Sequence, residues 1–391
     1  MIVSALKNFL GLGLLFLNIA VFAQSELMNI GVMEWYNIQR FSFQVEEGRY
    51  TVFADNNKIT ELSEGEFIYI IRSGNKIEVK SPTKGFGHFQ KVYLIGKETD
   101  NSFRATPITP EKRERYYDDN LKVSIKPGGL RLVNNVDIEN YVAGVVQAEV
   151  GPNPAPEFFK LQAILCRTYV LENLNKHEHD GFNLCDRVHC QAYYRNCTKK
   201  EIEEASNSTK GLVIVDSDIN LITAAFYSNC GGETVNSEDV WQKSVYYLRS
   251  VKDPFCVNEP NASWSKKVSK SKWTSYLQAK GRNVKGAGPS AELEAFYQKN
   301  RKSVYDVGDL NIPLKTIRSD WKLKSTFFNA VPNGEYVYLT GRGFGHGTGL
   351  CQEGAMKMAS SGHSYPEILH FYYKDVHLVD LSALEFFREG R

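Results

Sequence analysis

Asp137-Ile138-Glu139-Asn140-Tyr141-Val142-Ala143-Gly144-Val145-Val146-Gln147-Ala148-Glu149-Val150 is the stretch around which the rest of this sequence organises. Ile138, Tyr141, Val142, Val145 and Val146 recur at helical spacing, which predicts an amphipathic helix with Asp137 as its N-cap. The apolar stripe is then continued by a carboxylate, Glu149. An ionised glutamate on a core-facing stripe is costly unless it is paired or borders a cleft. Partial desolvation there raises its pKa toward the range of a general acid. Glu149 is therefore the candidate catalytic residue.

On the C-terminal side, Gly151-Pro152-Asn153-Pro154-Ala155-Pro156 cannot continue a helix, and Pro156 suits the first turn of a second one. Phe158, Phe159, Leu161, Ala163, Ile164, Leu165 and Tyr169 make that second helix strongly apolar and central to a core, with Lys160, Gln162 and Arg167 along it. On the N-terminal side, Val123-Ser124-Ile125 and Leu130-Arg131-Leu132 flank Pro127-Gly128-Gly129, a hairpin leading into the first helix. Before it, the charged run Glu111 to Asp119 reads as a linker or exposed turn. Short apolar or alternating runs from Phe41 to about Ile95, broken by Asn56-Asn57, Gly74-Asn75 and Lys84-Gly85, make residues 24–115 a β-rich domain.

The chain's 391 residues favour two domains. Residues 1–23, with Lys7, an apolar run from Phe9 to Phe22 and small residues before Gln24, have the form of a secretory signal peptide. The competing reading, a membrane anchor, is weakened by the short run and by Asn18; no other stretch is apolar enough to span a bilayer. The mature protein is thus expected in the periplasm, cell envelope or extracellular space. Forty-seven basic against forty-five acidic residues carry no polyelectrolyte signature, which argues against nucleic acid as a partner. Abundant Tyr and Phe suit β-structure first and sugar binding second.

Seven cysteines, at 166, 185, 190, 197, 230, 256 and 351, are an odd number in an export context, so at least one is free, a metal ligand or intermolecular. His179, Cys185, His189 and Cys190 lie within twelve residues and can close a tetrahedral zinc site, with His177 competing for the place of His179. The alternative is a Cys185–Cys190 disulfide with bystander histidines. Further on, Ala224 to Thr234 reads as a strand entering a polar turn with paired glycines, where Cys230 is better placed to pair with Cys256 than to act as a nucleophile. Tyr336 to Leu339 leads into Gly341-Arg342-Gly343-Phe344-Gly345-His346-Gly347-Thr348-Gly349 and a helix from Gln352 to Ala359. No nucleotide-binding pattern is present, so this loop either presents His346 or packs it structurally. Gly-Phe-Gly-His also occurs at 85–88, a coincidence without flanking similarity. The Lys- and Ser-rich stretch from Ser263 to about Arg301, helical around Ala291 to Tyr297, reads as an inserted lobe at about 260–330.

Taken in order, Asn140 to Glu149, Lys160 to Tyr169, Cys185 to Gln191, Ser228 to Gly232, Asp239-Val240-Trp241, Tyr247 to Val251 and Gly343 to Gln352 resemble the stage II sporulation protein D family, also called the LytB amidase-enhancer type. The resemblance covers about residues 120 to 375, and implies an α+β fold with a catalytic domain over 116–391 behind the β-rich N-terminal domain. It implies a lytic transglycosylase cutting peptidoglycan glycan between N-acetylmuramic acid and N-acetylglucosamine, its single essential Glu falling on Glu149. It further implies cleft contacts at Arg167, Tyr227, Ser228, His346 and Gln352, and a structural zinc at the His/Cys cluster, with no organic cofactor. Cys166 and Cys351 depart from the small or hydroxyl residues common at those places. Two other readings stand beside the enzyme: a non-catalytic wall-binding module that stimulates a separate cell-wall amidase, and a zinc-dependent amidase or peptidase.

Overall fold

The computed structural model describes residues 27–151, 154–241, 243–281 and 295–384. The signal-peptide reading of residues 1–23 lies outside them. Among the described residues no helix is long and apolar enough to cross a membrane.

The chain begins with twelve strands: β1 (Leu27–Val32), β2 (Arg40–Glu47), β3 (Arg49–Ala54), β4 (Asn57–Ser63), β5 (Phe67–Ser73), β6 (Lys76–Lys80), β7 (Gly85–Phe89), β8 (Val92–Gly96), β9 (Ser102–Thr109), β10 (Arg115–Asp118), β11 (Asn120–Lys126) and β12 (Gly129–Asp137). They form two sheets, ordered β1-β12-β11-β8-β3-β4 and β10-β9-β2-β5-β6-β7. Strict alternation puts one apolar set of each sheet into a shared core, where Phe43 and Phe103 of one sheet meet Tyr50 of the other. The run from Glu111 to Asp119 is not a linker. Arg115–Asp118 pairs antiparallel with β9, because Tyr117 alternates into this core and is fully buried. The hairpin β11–β12 forms as expected, but it pairs with β8 and β1, so the β-layer runs on to Asp137.

From there the chain enters α1 (Ile138–Glu149), whose first turn is capped by the Asp137 carboxylate accepting the Glu139 N–H at 2.7 Å. Ile138, Tyr141, Val142, Val145 and Val146 are all buried, the stripe read from the sequence. Gly144 is required within this helix by close approach: a Cβ there meets the Tyr193 ring at 2.6 Å and the Arg195 carbonyl at 2.8 Å. The missing side chain lets the loop of residues 190–195 lie on α1.

α2 (Pro156–Glu172) is apolar nearly all round because it stands between two cores. Phe159, Ala163, Cys166 and Val170 face the β-layer's core, whereas Phe158, Leu161, Ile164 and Leu165 face a second core. The chain continues with β13 (Leu184–Cys185), α3 (Lys200–Ser208), β14 (Leu212–Val215), β15 (Phe226–Tyr227) and α4 (Ser237–Trp241). β13 and α3 pack into the first core, whereas Ile214 of β14 and Tyr227 of β15 join the second, which C-terminal residues from Leu350 to Val376 complete. β13 adds to β1 in parallel, which fastens the cysteine–histidine loop to the β-layer.

Residues from Ser263 to Arg342 pack on one another around a third apolar cluster. β16 (Ser263–Ser269), α5 (Lys270–Lys280), β17 (Val304–Tyr305), β18 (Ile312–Pro313), α6 (Leu314–Asp320), β19 (Phe328–Asn333) and β20 (Tyr336–Arg342) surround Trp273, Tyr305, Phe328 and Leu339. Its helix falls at Lys270–Lys280. Of the helix expected around Ala291 to Tyr297, residues 291–294 lie outside the described set, and Phe296 is extended, bridging to Ala330. β20 then delivers the glycine loop, followed by β21 (Leu350–Cys351), α7 (Gln352–Ser360), α8 (Tyr365–Tyr372) and β22 (His377–Asp380). The fold is α+β with a β-rich N-terminal region, as the sequence implied.

Candidate active site

A groove of about 540 Å³ opens where the end of α1, the loop after β13, β15 and the glycine loop converge. Glu149 lines it from the last residue of α1 and is the only carboxylate among the described lining residues. Its Oε1 accepts the Ala192 N–H at 3.0 Å. Burial raises the Glu149 pKa above the ordinary carboxylate value, and the single amide bond only partly offsets this. The C-terminal end of a helix dipole acts in the same sense, since it disfavours a negative charge beside it.

The opposite wall rests on a parallel pairing of β15 with β21, Phe226 against Leu350 and Tyr227 against Cys351. This places Tyr227, Ser228 and Gln352 along the groove. The Tyr227 hydroxyl and the Gln352 side-chain nitrogen are buried and have no hydrogen-bond partner within the protein. Orphaned polar groups beside a groove are costly unless a ligand or water completes them. Gly345 lets the glycine loop cross β15: its φ is +126°, and a Cβ there meets that of Tyr227 at 2.6 Å.

His346 also lines the groove, but both of its nitrogens are occupied by backbone. Nδ1 accepts the Thr348 N–H at 3.2 Å, so Nε2 carries the proton and donates to the Phe226 carbonyl at 3.0 Å. Burial lowers its pKa to about 4. A neutral, doubly engaged imidazole is no acid or base at neutral pH; it braces the loop and supports Tyr227 and Trp241, whose rings lie 4.9 and 5.8 Å from its own.

Arg167 does not reach the groove. It is 1% exposed, and its guanidinium pairs with both oxygens of Glu139, Nε to Oε1 at 2.9 Å and Nη2 to Oε2 at 2.5 Å. It also donates to the Leu212 and Ser206 carbonyls at 3.0 and 3.3 Å, tying α1, α3 and β14 together. Arg167 is a motif position on α2 but not a groove position, because its face of the helix turns inward, whereas Tyr169 two residues on does line the groove.

Around the cysteine–histidine loop the structure gathers His177, Cys185, His189 and Cys190, their ligand atoms within 4.8 Å of one another. His177 takes the place expected for His179. The one-turn helix Glu178–Asp180 carries His179 outward to an exposed position, whereas hydrogen bonds between His177 and the Phe182–Asn183 backbone fold His177 back toward Cys190. The two sulfurs lie 3.5 Å apart and the nearest imidazole-to-sulfur distances are 3.5 to 3.8 Å. A tetrahedron with Zn–S of about 2.3 Å and Zn–N of about 2.05 Å has edges of roughly 3.5–3.8 Å, so the donor set fits zinc. His177 Nδ1 faces the Asp180 carboxylate at 3.1 Å, the outer contact that orients a ligating imidazole. Neither Cys185 and Cys190 nor any other pair of the seven cysteines is joined in a disulfide.

Trp241 and Phe344, 42% and 39% exposed, also border the groove and offer apolar faces to a ligand. Sequence reasoning did not single out either as a site residue, although Asp239-Val240-Trp241 was visible as a motif. Nor could it find Ala192, which acts through its backbone N–H alone.

The groove thus combines one half-buried carboxylate, exposed aromatic rims and a neighbouring cysteine–histidine cluster. A family model described as "Stage II sporulation protein" (SpoIID) matches residues 126–215, which hold α1, α2 and the cysteine–histidine loop. Stage II sporulation protein D of Bacillus subtilis (strain 168) is 28% identical over 267 residues, 64% of this chain and 77% of that protein. A protein of Brachyspira hyodysenteriae (strain ATCC 49526 / WA1), named only as uncharacterized, is 31% identical over 264 residues, 65% of this chain and 69% of its own length. The amidase enhancer of B. subtilis is 26% identical over 284 residues, 59% of this chain and 39% of that protein. The chain belongs to the stage II sporulation protein D family, a cell-wall-related family.

Proposed function

We propose that the chain is an exported peptidoglycan lytic transglycosylase with Glu149 as its single acid/base. The observation that carries this reading is that Glu149 is the only carboxylate among the described residues lining the groove, and that burial keeps it protonated further up the pH scale than a free glutamate. A hydrolase working with two carboxylates needs a second one across the sugar, at roughly 5–9.5 Å. One carboxyl suffices when the substrate supplies its own nucleophile. Glu149 gives its proton to the glycosidic oxygen, and the bond from that oxygen to the muramoyl anomeric carbon breaks. The resulting carboxylate takes the proton of the muramoyl 6-hydroxyl as that oxygen bonds to the same carbon. The products are a free sugar hydroxyl and a 1,6-anhydro end, water is not consumed, and Glu149 is left protonated.

The remaining groups bind and position. The Tyr227 hydroxyl, the Gln352 amide and Ser228 offer hydrogen bonds to N-acetyl and lactyl groups, and Trp241 offers a flat face to a sugar ring. His177, Cys185, His189 and Cys190 hold a structural zinc, whose contribution is to fix the loop carrying Ala192, and through it the Glu149 carboxyl. With four protein ligands within reach, the cluster leaves no open position for water, which counts against the zinc amidase or peptidase reading.

The name of the B. subtilis relative supports a second reading, a wall-binding enhancer of a separate amidase. Mass spectrometry of purified glycan incubated with the mature chain separates the readings. The enzyme leaves 1,6-anhydro-muramic ends. Reducing ends mean hydrolysis, released stem peptides mean an amidase, and unchanged glycan that still binds the chain leaves the enhancer.

A further inference from the structure

We propose that Cys230, Asp253, Cys256 and Cys351 form a second metal site, buried in the groove wall that carries Tyr227, Ser228 and Gln352, and suited to a thiophilic divalent cation of the zinc class. Three distant segments bring these residues together: the turn after β15, the loop holding Asp253 and Cys256, and the start of α7. One ligand atom from each lies within 4.8 Å of all the others, and all four residues are fully buried. All three cysteines are free thiols.

The contacts are those of a ligand set rather than of a packed core. Cys230 Sγ lies 3.2 Å from Cys256 Sγ and 3.2 Å from Asp253 Oδ2. The Cys230 and Gly354 N–H groups point at Cys351 Sγ at 3.2 and 3.4 Å, and the Gly232 N–H at Cys256 Sγ at 3.3 Å. Backbone donors aimed at sulfur favour the thiolate, the form that binds metal. Asp253 is oriented by the Tyr372 hydroxyl, which donates to the same Oδ2 at 2.9 Å, and by the Phe255 N–H, 2.9 Å from Oδ1. Gly354 leaves room for this carboxylate, since a Cβ there strikes both Asp253 and Tyr372.

A buried aspartate among three thiols is an expensive arrangement unless a cation serves it. The Arg301 guanidinium reaches this wall but donates to the Cys230 carbonyl at 2.6 Å, and among the described residues Asp253 has no ion-pair partner. A disulfide between Cys230 and Cys256 uses only two of the sulfurs and gives Asp253 and Cys351 no counter-charge. A divalent ion takes all four, releasing the thiol protons to solvent, and its tetrahedral S···S edge of about 3.8 Å is within small side-chain adjustment of the distances seen. The bound ion locks the turn after β15 to the N-cap residue of α7, and so fixes the groove wall facing the substrate.

The test is zinc content and sulfur ligation of the mature chain, by elemental analysis and zinc-edge X-ray absorption, beside peptide mapping of the unreduced protein. The wild type is expected to hold one zinc for each of its two clusters. The Cys185→Ser/Cys190→Ser chain keeps one ion with about three sulfur neighbours. The Cys256→Ser/Cys351→Ser chain loses it. A wild type with a single zinc bound by two sulfurs, zinc content falling to nothing in Cys185→Ser/Cys190→Ser, or a mapped Cys230–Cys256 disulfide overturns the proposal. The wild-type measurements decide it even where a variant fails to fold.

Discussion

Replacing Arg167 by Met tests whether its place is in the groove or in the frame of the fold. The substitution keeps most of the methylene stem and removes the guanidinium. It strips the Glu139 carboxylate, buried in α1, of both its charge-assisted bonds, and the Leu212 and Ser206 carbonyls of one donor each. Breaking a buried ion pair from one side costs about 3–5 kcal/mol, because the remaining charge is left uncompensated. For a cooperative unit of 150–250 residues each kcal/mol moves the midpoint by about 2–4 °C, so the thermal transition falls by about 6–20 °C. Scanning calorimetry of the purified protein reads this directly. The double variant Arg167→Met/Glu139→Met, which leaves no orphaned charge, recovers most of the loss. Two results refute the reasoning: a single variant that melts with the wild type, or one that folds normally yet loses glycan binding. The latter puts Arg167 on the substrate after all.

Glu149→Gln keeps an acceptor for the Ala192 N–H and removes the proton, so cleavage falls by at least about 10²–10⁴-fold while the fold survives, as product analysis and circular dichroism report. In the wild type the acid form is the active one, so the rate holds at low pH and declines as pH rises through a pKa above the usual glutamate value; a decline centred at that usual value counts against Glu149. Asp118, pushed up to about 7 by burial despite a 2.8 Å bond from Asn196, has its folded pKa above its unfolded one. The native state therefore holds the extra proton, and stability is lost as pH rises from about 4 toward about 7. Asp118→Asn should accordingly raise the midpoint at pH 8 and not at pH 4, by thermal melts at both. Trp241→Ala weakens glycan binding roughly two- to tenfold, the worth of one aromatic face at about 0.5–1.5 kcal/mol, and leaves the melting midpoint unchanged. Chelation lowers the midpoint, with cleavage lost in step as the Ala192 loop loosens; a chain whose melting is insensitive to chelation and to Cys190→Ser has no zinc staple there.

Much of this was legible in one dimension because it depends on periodicity. The α1 stripe, its Asp137 cap, the apolar α2 and the alternating strands each follow from side-chain direction within an element, which local geometry fixes. Glu149 was found in the same way, as the residue that breaks its own pattern. What periodicity cannot carry is which elements meet. The charged run at 111–119 hid a strand because Tyr117 needs a partner sheet before its burial is visible. His177 and His179 are equivalent by spacing, and only the one-turn helix that carries His179 outward decides which faces Cys190.

By itself the sequence determined α1 and α2, the family and the catalytic suspect, since each is written in the order of neighbouring residues. Only the tertiary structure decided that Arg167 is a clamp and not a contact, that His346 is fully engaged by backbone, and that Cys230, Asp253, Cys256 and Cys351 converge. Those assignments depend on residues up to 121 positions apart, whose meeting is set by how sheets and helices pack and not by any pattern along the chain.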